Sequence, residues 1–130
     1  MKKYKNNIGV RLESFEGEKV FRIYVVGDAE NPDWATLIEN TIKNNQDVKH
    51  FRFLLDNRFG NDGIDIHGFQ MLGQLFRKYK VLDGTVCVLT WDKGFLQLKE
   101  LFLTVMKKMG LDFKAKVFFD EPQAVQWLVK

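Results

Sequence analysis

Three aspartates in the middle of the chain are the residues best placed to do chemistry. Asp56, Asp62 and Asp65 all follow the apolar segment 51–55, near the carboxyl end of a predicted strand. Open α/β sheets bind ligands at this end of their strands, and carboxylate oxygens are the ligands that Mg²⁺ prefers. A metal-dependent enzyme would require the three carboxylates to converge. The alternative, which we favour, is that they cap turns and the start of the next helix.

The other groups that enzymes use are scarce or poorly spaced. Ser14 is the single serine, and the chain has neither a nucleophile-elbow motif nor a glycine-rich phosphate-binding motif. His50 and His67 are far apart and lack the spacing of helical metal ligands. Cys87 is the only cysteine and lies in an apolar run, which excludes an intramolecular disulfide and predicts a buried thiol. We therefore expect no enzymatic activity, no cofactor and no metal site.

The length and the charge of the chain further limit the classes of protein to which it could belong. The 130 residues suit one domain, which we place at 8–130 after an N-terminal tail at 1–7. Lys and Arg exceed Asp and Glu by 20 to 17, and the basic residues are dispersed rather than clustered, so we expect no nucleic-acid partner. The basic N-terminus is not followed by an apolar signal core, and no stretch is long and apolar enough to span a membrane. We expect a cytoplasmic protein.

The hydrophobic pattern predicts the strands and helices that must position the candidate side chains. Residues 10–15 and 20–26 read as strands joined by the Gly-containing turn 16–19, which predicts an antiparallel hairpin. Asn31 and Pro32 begin a helix, and 50–55 is a strand followed by a polar loop at 56–63. Further apolar stripes predict a second helix through Tyr79, a strand at 85–90, a helix at 94–109, a strand at 116–119 and a helix at 121–129.

The resulting order is β-β-α-β-α-β-α-β-α. Strands that alternate with helices are typical of an α/β fold with a mostly parallel sheet and helices packed on it. The hairpin places an antiparallel strand at the N-terminal edge of that sheet. The fold class is therefore a single α/β domain.

Several short segments are similar, in their order and spacing, to those of one known domain family. Segment 20–30 is similar to that family's second strand and the turn that ends it, and 85–89 to a later strand. Segment 65–69, Asp-Ile-His-Gly-Phe, occupies the place of the family's Asp-Ser-Ser-Gly-hydrophobic motif. The ending, 109–111 and then 117–124, is similar to the family's ending, and 124–128 also resembles the branch of proteins similar to stage II sporulation protein AA. Together these segments resemble the STAS domain, the fold of bacterial anti-sigma-factor antagonists.

The resemblance implies a non-enzymatic regulatory module that binds a protein. The family's phosphorylatable serine is replaced by His67, with Ile66 before it, so this is a divergent member without the serine phospho-switch. The partner would be an anti-sigma-like or stressosome-like regulator, or a second copy through self-association. The residues expected to bind it are Phe59, Asp62, Gly63, Asp65, Ile66, His67, Gly68 and Phe69. Leu96 and Leu103, on the face of the third helix opposite its core stripe, suggest a second interface.

The alternative function is a module that binds a small molecule or a lipid. STAS-like folds resemble part of the CRAL-TRIO lipid-binding architecture, and twelve phenylalanines could line an apolar pocket. The size of the internal cavity discriminates between the two functions. A filled core favours a protein partner, whereas a sizeable apolar cavity favours a small apolar ligand.

Overall fold

The computed structural model describes residues 8–62 and 64–130, except for the side chains of Asn61 and Asp62. The predicted tail at 1–7 and Gly63 lie outside the described residues. Within the described ranges the chain forms five strands and four helices in the predicted order. They are β1 (Ile8–Phe15), β2 (Glu18–Ala29), α1 (Asn31–Lys43), β3 (Phe51–Asp62), α2 (Ile66–Lys78), β4 (Asp83–Leu89), α3 (Phe95–Lys108), β5 (Asp112–Phe118) and α4 (Glu121–Val129).

The sheet has the strand order β1-β2-β3-β4-β5. β1 is antiparallel to β2, and β2 to β5 run parallel to one another. The hairpin between β1 and β2 closes over two residues, Glu16 and Gly17, which both have positive φ angles, 52° and 82°. Such turns match the twist of the flanking strands. The predicted α/β class, with its antiparallel N-terminal edge strand, is confirmed.

The two faces of the sheet carry cores of different size. Side chains alternate along β2, so that Phe21 faces the larger core and Val20 the smaller one. The larger core packs α1, α2 and α3 on one face, whereas Ala124 and Leu128 of α4 cover part of the other. Neighbouring residues of β3, Phe53 and Leu54, are both buried, as expected for a central parallel strand.

Most of the phenylalanines are core residues. Seven of the twelve belong to the larger core: Phe21, Phe51, Phe53, Phe69, Phe76, Phe102 and Phe113. Their rings lie next to one another, with centroids from 4.6 Å apart for Phe76 and Phe113 to 6.5 Å for Phe53 and Phe76. Aromatic packing across β2, β3 and β5 therefore holds α2 and α3 to the sheet.

The prediction of a polar loop at 56–63 is wrong, because β3 continues to Asp62. Its second half pairs with residues 26–29 of β2, beyond a bulge between Tyr24 and Val26. Gly60 permits this pairing, since a Cβ there would lie 2.6 Å from the Val25 carbonyl oxygen. Local propensity disfavours strand here, and the pairing with β2 overrides it.

Several smaller boundaries also differ from the sequence-based expectation, two of them at the starts of α1 and β5. The cap of α1 is Glu30, whose side chain and that of Asp33 form a capping box, so Asn31 is already inside the helix. β5 begins at Asp112, four residues before the predicted start at 116. No helix among the described residues is long and apolar enough to cross a membrane.

Candidate functional site

The carboxyl ends of β2, β3 and β4 lie along one edge of the sheet, because the three strands are parallel and adjacent. Each of these strands is followed by a helix, so α1, α2 and α3 all begin near this edge. We call it the carboxyl edge. Open α/β sheets bind ligands at such edges. Of the residues predicted for partner binding, Phe59 and Asp62 lie in the last part of β3 and residues 65–69 follow it, so they lie at this edge.

Asp65 is the N-cap of α2. Its Oδ1 accepts hydrogen bonds from the backbone N–H groups of His67 at 3.0 Å and Gly68 at 3.2 Å, and from Nδ2 of Asn31 at 2.9 Å. The bond from Asn31 and the two backbone N–H groups hold the pKa of Asp65 below its ordinary value. The predicted capping role of Asp65 is confirmed, and the carboxylate also ties the start of α2 to the start of α1.

Gly68 and Phe69 are buried beneath this edge. A Cβ on Gly68 would overlap the Asn31 amide and lie 2.5 Å from Cγ1 of Ile64, so glycine is what allows the close approach. Phe69 is 5% exposed and packs edge-on against Phe102 at 5.4 Å. Both residues support the surface from below and are not accessible to a partner.

Besides Asp65, the exposed members of the predicted motif are Ile66 and His67. They lie in the first turn of α2, and Ile66 is 42% exposed. Asp62 ends β3, but its side chain lies outside the described residues, as does the whole of Gly63. The family's serine position is thus occupied by an exposed histidine at the start of a helix.

The most exposed large side chains of the carboxyl edge are Phe59 and Trp91. They are 64% and 63% exposed, and their rings meet edge-on with centroids 5.3 Å apart. Val26, 57% exposed, is the register neighbour of Phe59 on β2. The guanidinium of Arg58 lies 5.7 Å from the centre of the Phe59 ring. Phe59 was predicted, but Trp91 was missed, although its place directly after the apolar run 85–90 is a signal for this edge.

A surface cleft of about 680 Å³ lies beside this aromatic pair, between the end of β3 and α3. Arg58, Gly60 and Trp91 line one part of it, and Leu98 and Leu101 line another. The turn before α3 is tied down, because Oδ1 of Asp92 accepts a 2.8 Å hydrogen bond from the Gly94 N–H.

Leu96 and Leu103, predicted as a second interface, have different environments. Leu96 is 43% exposed in the first turn of α3, close to the carboxyl edge. Leu103 is half-buried and packs against the larger core. The structure does not present them as one exposed pair.

Asp56 lies within a buried ion-pair cluster on the sheet face that carries α4. Its carboxylate accepts hydrogen bonds from Nη1 of Arg22 at 3.1 Å and from Nε and Nη2 of Arg58 at 2.8 and 2.7 Å. Glu121 contacts both arginines at 3.0 and 3.1 Å, and Glu13 contacts Arg22 at 2.9 Å. Sequence reasoning had singled out Asp56 but missed its arginines, because they come from two different strands.

Opposite charges in this cluster stabilise the ionised forms of its side chains. Burial disfavours the ionised carboxylate, but hydrogen bonds and charge from Arg58, joined by the charge of Arg22, outweigh burial and lower the pKa of Asp56. Burial likewise opposes the charge of Arg22, but Glu13 and Glu121 outweigh it and raise the pKa of Arg22. Asp56 and Arg22 are therefore both charged at neutral pH.

Asp56 and Asp65 do not converge on a common point, as the ligands of a metal-dependent enzyme would have to. Asp56 is occupied by two arginines, and Asp65 caps its own helix. Among the side chains that the structure describes, which do not include that of Asp62, no group of three from His, Cys, Asp and Glu could hold a metal ion. Cys87 is fully buried, and burial raises the pKa of its thiol to about 12, so it stays protonated.

An internal cavity lies between the sheet and the helices of the larger core. It has a volume of about 70 Å³, and its lining includes Phe53, Leu72, Leu98 and Phe102. An engineered protein cavity that binds benzene measures about 150 Å³, and pockets for drug-sized ligands about 300–1,000 Å³. By the criterion of cavity size, the nearly filled core favours a protein partner over a lipid.

Acidification is expected to destabilise the protein through Asp56. Because the pKa of Asp56 is lowered by folding, the carboxylate stabilises the folded state above its ordinary pKa of about 4, and this contribution is lost as pH falls through the folded pKa. Urea unfolding at a series of pH values should show the free energy of unfolding falling below about pH 4. The Asp56→Asn variant should show a shallower fall, and an unchanged slope would contradict this role.

Comparison with known proteins identifies the fold. No protein-family model matches the sequence, and neither does any curated protein. A solved structure that resembles the chain is an uncharacterized protein of the DUF3478 family with a SpoIIAA-like fold from Shewanella loihica. It shares 14% sequence identity over 98% of each chain, with a TM-score of 0.69. The chain therefore has a SpoIIAA-like fold, which confirms at the level of the fold the resemblance to STAS domains.

Proposed function

We propose that this chain is a non-enzymatic regulatory module that binds a protein partner at the carboxyl edge of its sheet. The contact surface consists of Val26, Phe59, Ile66, His67 and Trp91, and we call it the carboxyl-edge surface. The observation that carries the proposal is the pair of exposed rings, Phe59 and Trp91, in contact at 5.3 Å. Adjacent exposed aromatic side chains are typical of protein-binding sites, where they become the buried anchors of the interface.

Apolar and aromatic contacts supply the recognition. The N-terminus of α1 already has a capping box from Glu30 and Asp33, and that of α2 is capped by Asp65. Capped helix starts leave few free N–H groups for an anionic ligand. The partner therefore meets a surface of exposed rings and aliphatic groups, in which Arg58 adds a cation beside Phe59.

Control by serine phosphorylation at this helix start has no chemical basis in the sequence. Positions 66 and 67 carry isoleucine and histidine, and the only serine, Ser14, lies in β1. We propose an anti-sigma-like or stressosome-like regulator as the partner, bound without the phosphoserine switch. The cleft beside Trp91 offers it additional contact area.

The test is a quantitative affinity capture from the native cell with the double variant Phe59→Ala/Trp91→Ala. We expect specific partners to be lost, because removing one aromatic anchor costs about 2 kcal/mol, or roughly 30-fold in affinity. His67→Glu, which places a charge on the same surface, should weaken capture as well. Mass spectrometry of the captured proteins against wild type provides the measurement.

The matched control is Leu82→Ala. Leu82 is 58% exposed, comparable to Phe59, but lies in the loop before β4, away from the carboxyl ends of the strands. This variant should capture the same proteins as wild type, and all variants should show wild-type thermal unfolding. Equal capture by wild type and by the double variant would overturn the proposed surface.

A further inference from the structure

β1 is an outer strand of the sheet whose far side is open among the described residues. All eight of its residues pair with β2 in one continuous register, and no described strand pairs with its other side. The open side presents unpaired backbone N–H and C=O groups, which form a template for another strand. This edge is separate from the carboxyl-edge surface and uses none of its residues.

The two edges of the sheet are protected differently. On β5, the opposite edge, Lys114 and Lys116 are exposed, and edge lysines oppose pairing with another strand. β1 carries no lysine, proline or bulge, and it exposes Val10 and Leu12 by 36% and 51%. The lysines of β5 thus disfavour strand pairing at that edge of the sheet, whereas the edge formed by β1 is flat and partly apolar.

We propose that β1 pairs antiparallel with β1 of a second copy of this chain, about a twofold axis through Leu12. A twofold axis perpendicular to the sheet leaves every side chain on its own face, so two residues that lie opposite one another must be an even number of positions apart in the sequence. The axis therefore lies at the level of one residue, which faces its own copy, and not between two residues. With Leu12 on the axis, Arg11 lies opposite the partner's Glu13, and Glu13 opposite the partner's Arg11. Two ion pairs therefore cross the interface.

Charge complementarity selects this register over its neighbours. An axis through Arg11 would place two arginines directly opposite each other, and an axis through Glu13 would do the same with two glutamates. Like charges that lie directly opposite each other destabilise a strand pair. Within one chain Arg11 already contacts Glu13 at 2.8 Å, which shows that both side chains lie on the same face of β1. The pairs across the axis extend this contact to the second copy.

Apolar burial on the other face of β1 supports the same register. Leu12 pairs with Phe21, so it faces the side that carries α1. There α1 leaves it half uncovered, above a shallow cavity of about 160 Å³ lined by Val10, Leu12, Leu37 and Asn40. The proposed dimer brings the two Leu12 side chains together over this cavity and joins the sheets into one of ten strands.

The first test is the mass of the full chain in solution by light scattering over a concentration series. Wild type should approach twice the 15.3 kDa of one chain at high concentration. Leu12→Lys places two ammonium groups at the axis and should weaken dimerisation at least tenfold. Leu82→Lys, a charge added at a comparably exposed leucine outside β1, should leave the dimer intact.

The second test is a disulfide at the axis, which also fixes the register. Directly opposed residues have Cα atoms about 4.5–5.5 Å apart, within the roughly 4.4–6.8 Å that a disulfide spans, so Leu12→Cys should cross-link two copies upon oxidation. Val10→Cys should not, because the two copies of residue 10 would lie about 13 Å apart along the strands. Cys87 does not interfere, since it is buried.

Two outcomes would overturn the proposal. One is a wild-type chain that is monomeric at every concentration, as expected if residues 1–7 of the same chain cover β1. The other is a dimer that survives Leu12→Lys or cross-links equally through positions 10 and 12. If Leu12→Lys fails to fold by circular dichroism, the pair of cysteine variants still decides the register.

Discussion

Replacing Asp56 with alanine is expected to lower the free energy of unfolding by about 3–5 kcal/mol, as is typical when one partner of a buried ion pair is removed. The side chains of Asp56 and Arg22 are 10% and 8% exposed, so the variant leaves a largely buried guanidinium without one of its carboxylate partners. Arg58 would lose its hydrogen bonds at 2.7 and 2.8 Å, and Glu121 would remain as its carboxylate partner. The measurement is chemical unfolding at neutral pH.

The control is Asp47→Ala, which removes an ion pair at the surface. Asp47 lies 3.7 Å from Lys19, and the two side chains are 76% and 55% exposed. Exposed pairs contribute about 0–1 kcal/mol, so this variant should unfold nearly like wild type. A similar small loss for Asp56→Ala would mean that the buried cluster does not stabilise the fold.

Phe76→Ala is expected to cost about 3–5 kcal/mol as well, for a different reason. Phe76 is 2% exposed, and its ring lies 4.6 Å from Phe113 and 6.5 Å from Phe53. Truncation removes apolar contacts between α2 and two strands and leaves a cavity that the rigid sheet cannot fill. The same unfolding experiment measures the loss.

Phe59→Ala is the matched control for Phe76→Ala, because it removes the same ring from a position that is 64% exposed. Surface substitutions of this kind usually change stability by less than about 0.5 kcal/mol. The pair of variants thus separates core rings from rings that are available to a partner. If Phe59→Ala destabilised the protein as much as Phe76→Ala, Phe59 would be a structural residue and the proposed binding surface would lose its main anchor.

The buried cluster and the carboxyl-edge surface are connected through β3. Asp56 and Arg58 anchor the second half of this strand, and Phe59 is the next residue along it. The cluster therefore holds the Phe59 ring in place beside Trp91. Because a variant of Asp56 would change both the stability and the position of the Phe59 ring, only variants at the surface itself test binding separately.

The order of elements and the class of fold were predictable from the sequence. Apolar residues at helical spacing, such as Trp34, Ile38 and Ile42 in α1, become buried along one face. Local chemistry also fixed the cap at Asp65, because an aspartate before a helix accepts hydrogen bonds from the first turn in almost any context. Signals of this kind act over a few residues and do not depend on the rest of the chain.

Long-range pairing decided what the sequence left open. Asp56 and Arg58 lie in a strand because β2 supplies hydrogen bonds and Arg22 supplies charge, and neither is visible in the local pattern. Phe59 and Trp91 are distant in sequence and meet only because β3 and β4 are parallel neighbours. By itself the sequence determined the elements, their order and the cap of α2. The tertiary structure alone decided which polar groups are buried and which aromatic rings remain exposed, because burial depends on contacts between distant segments.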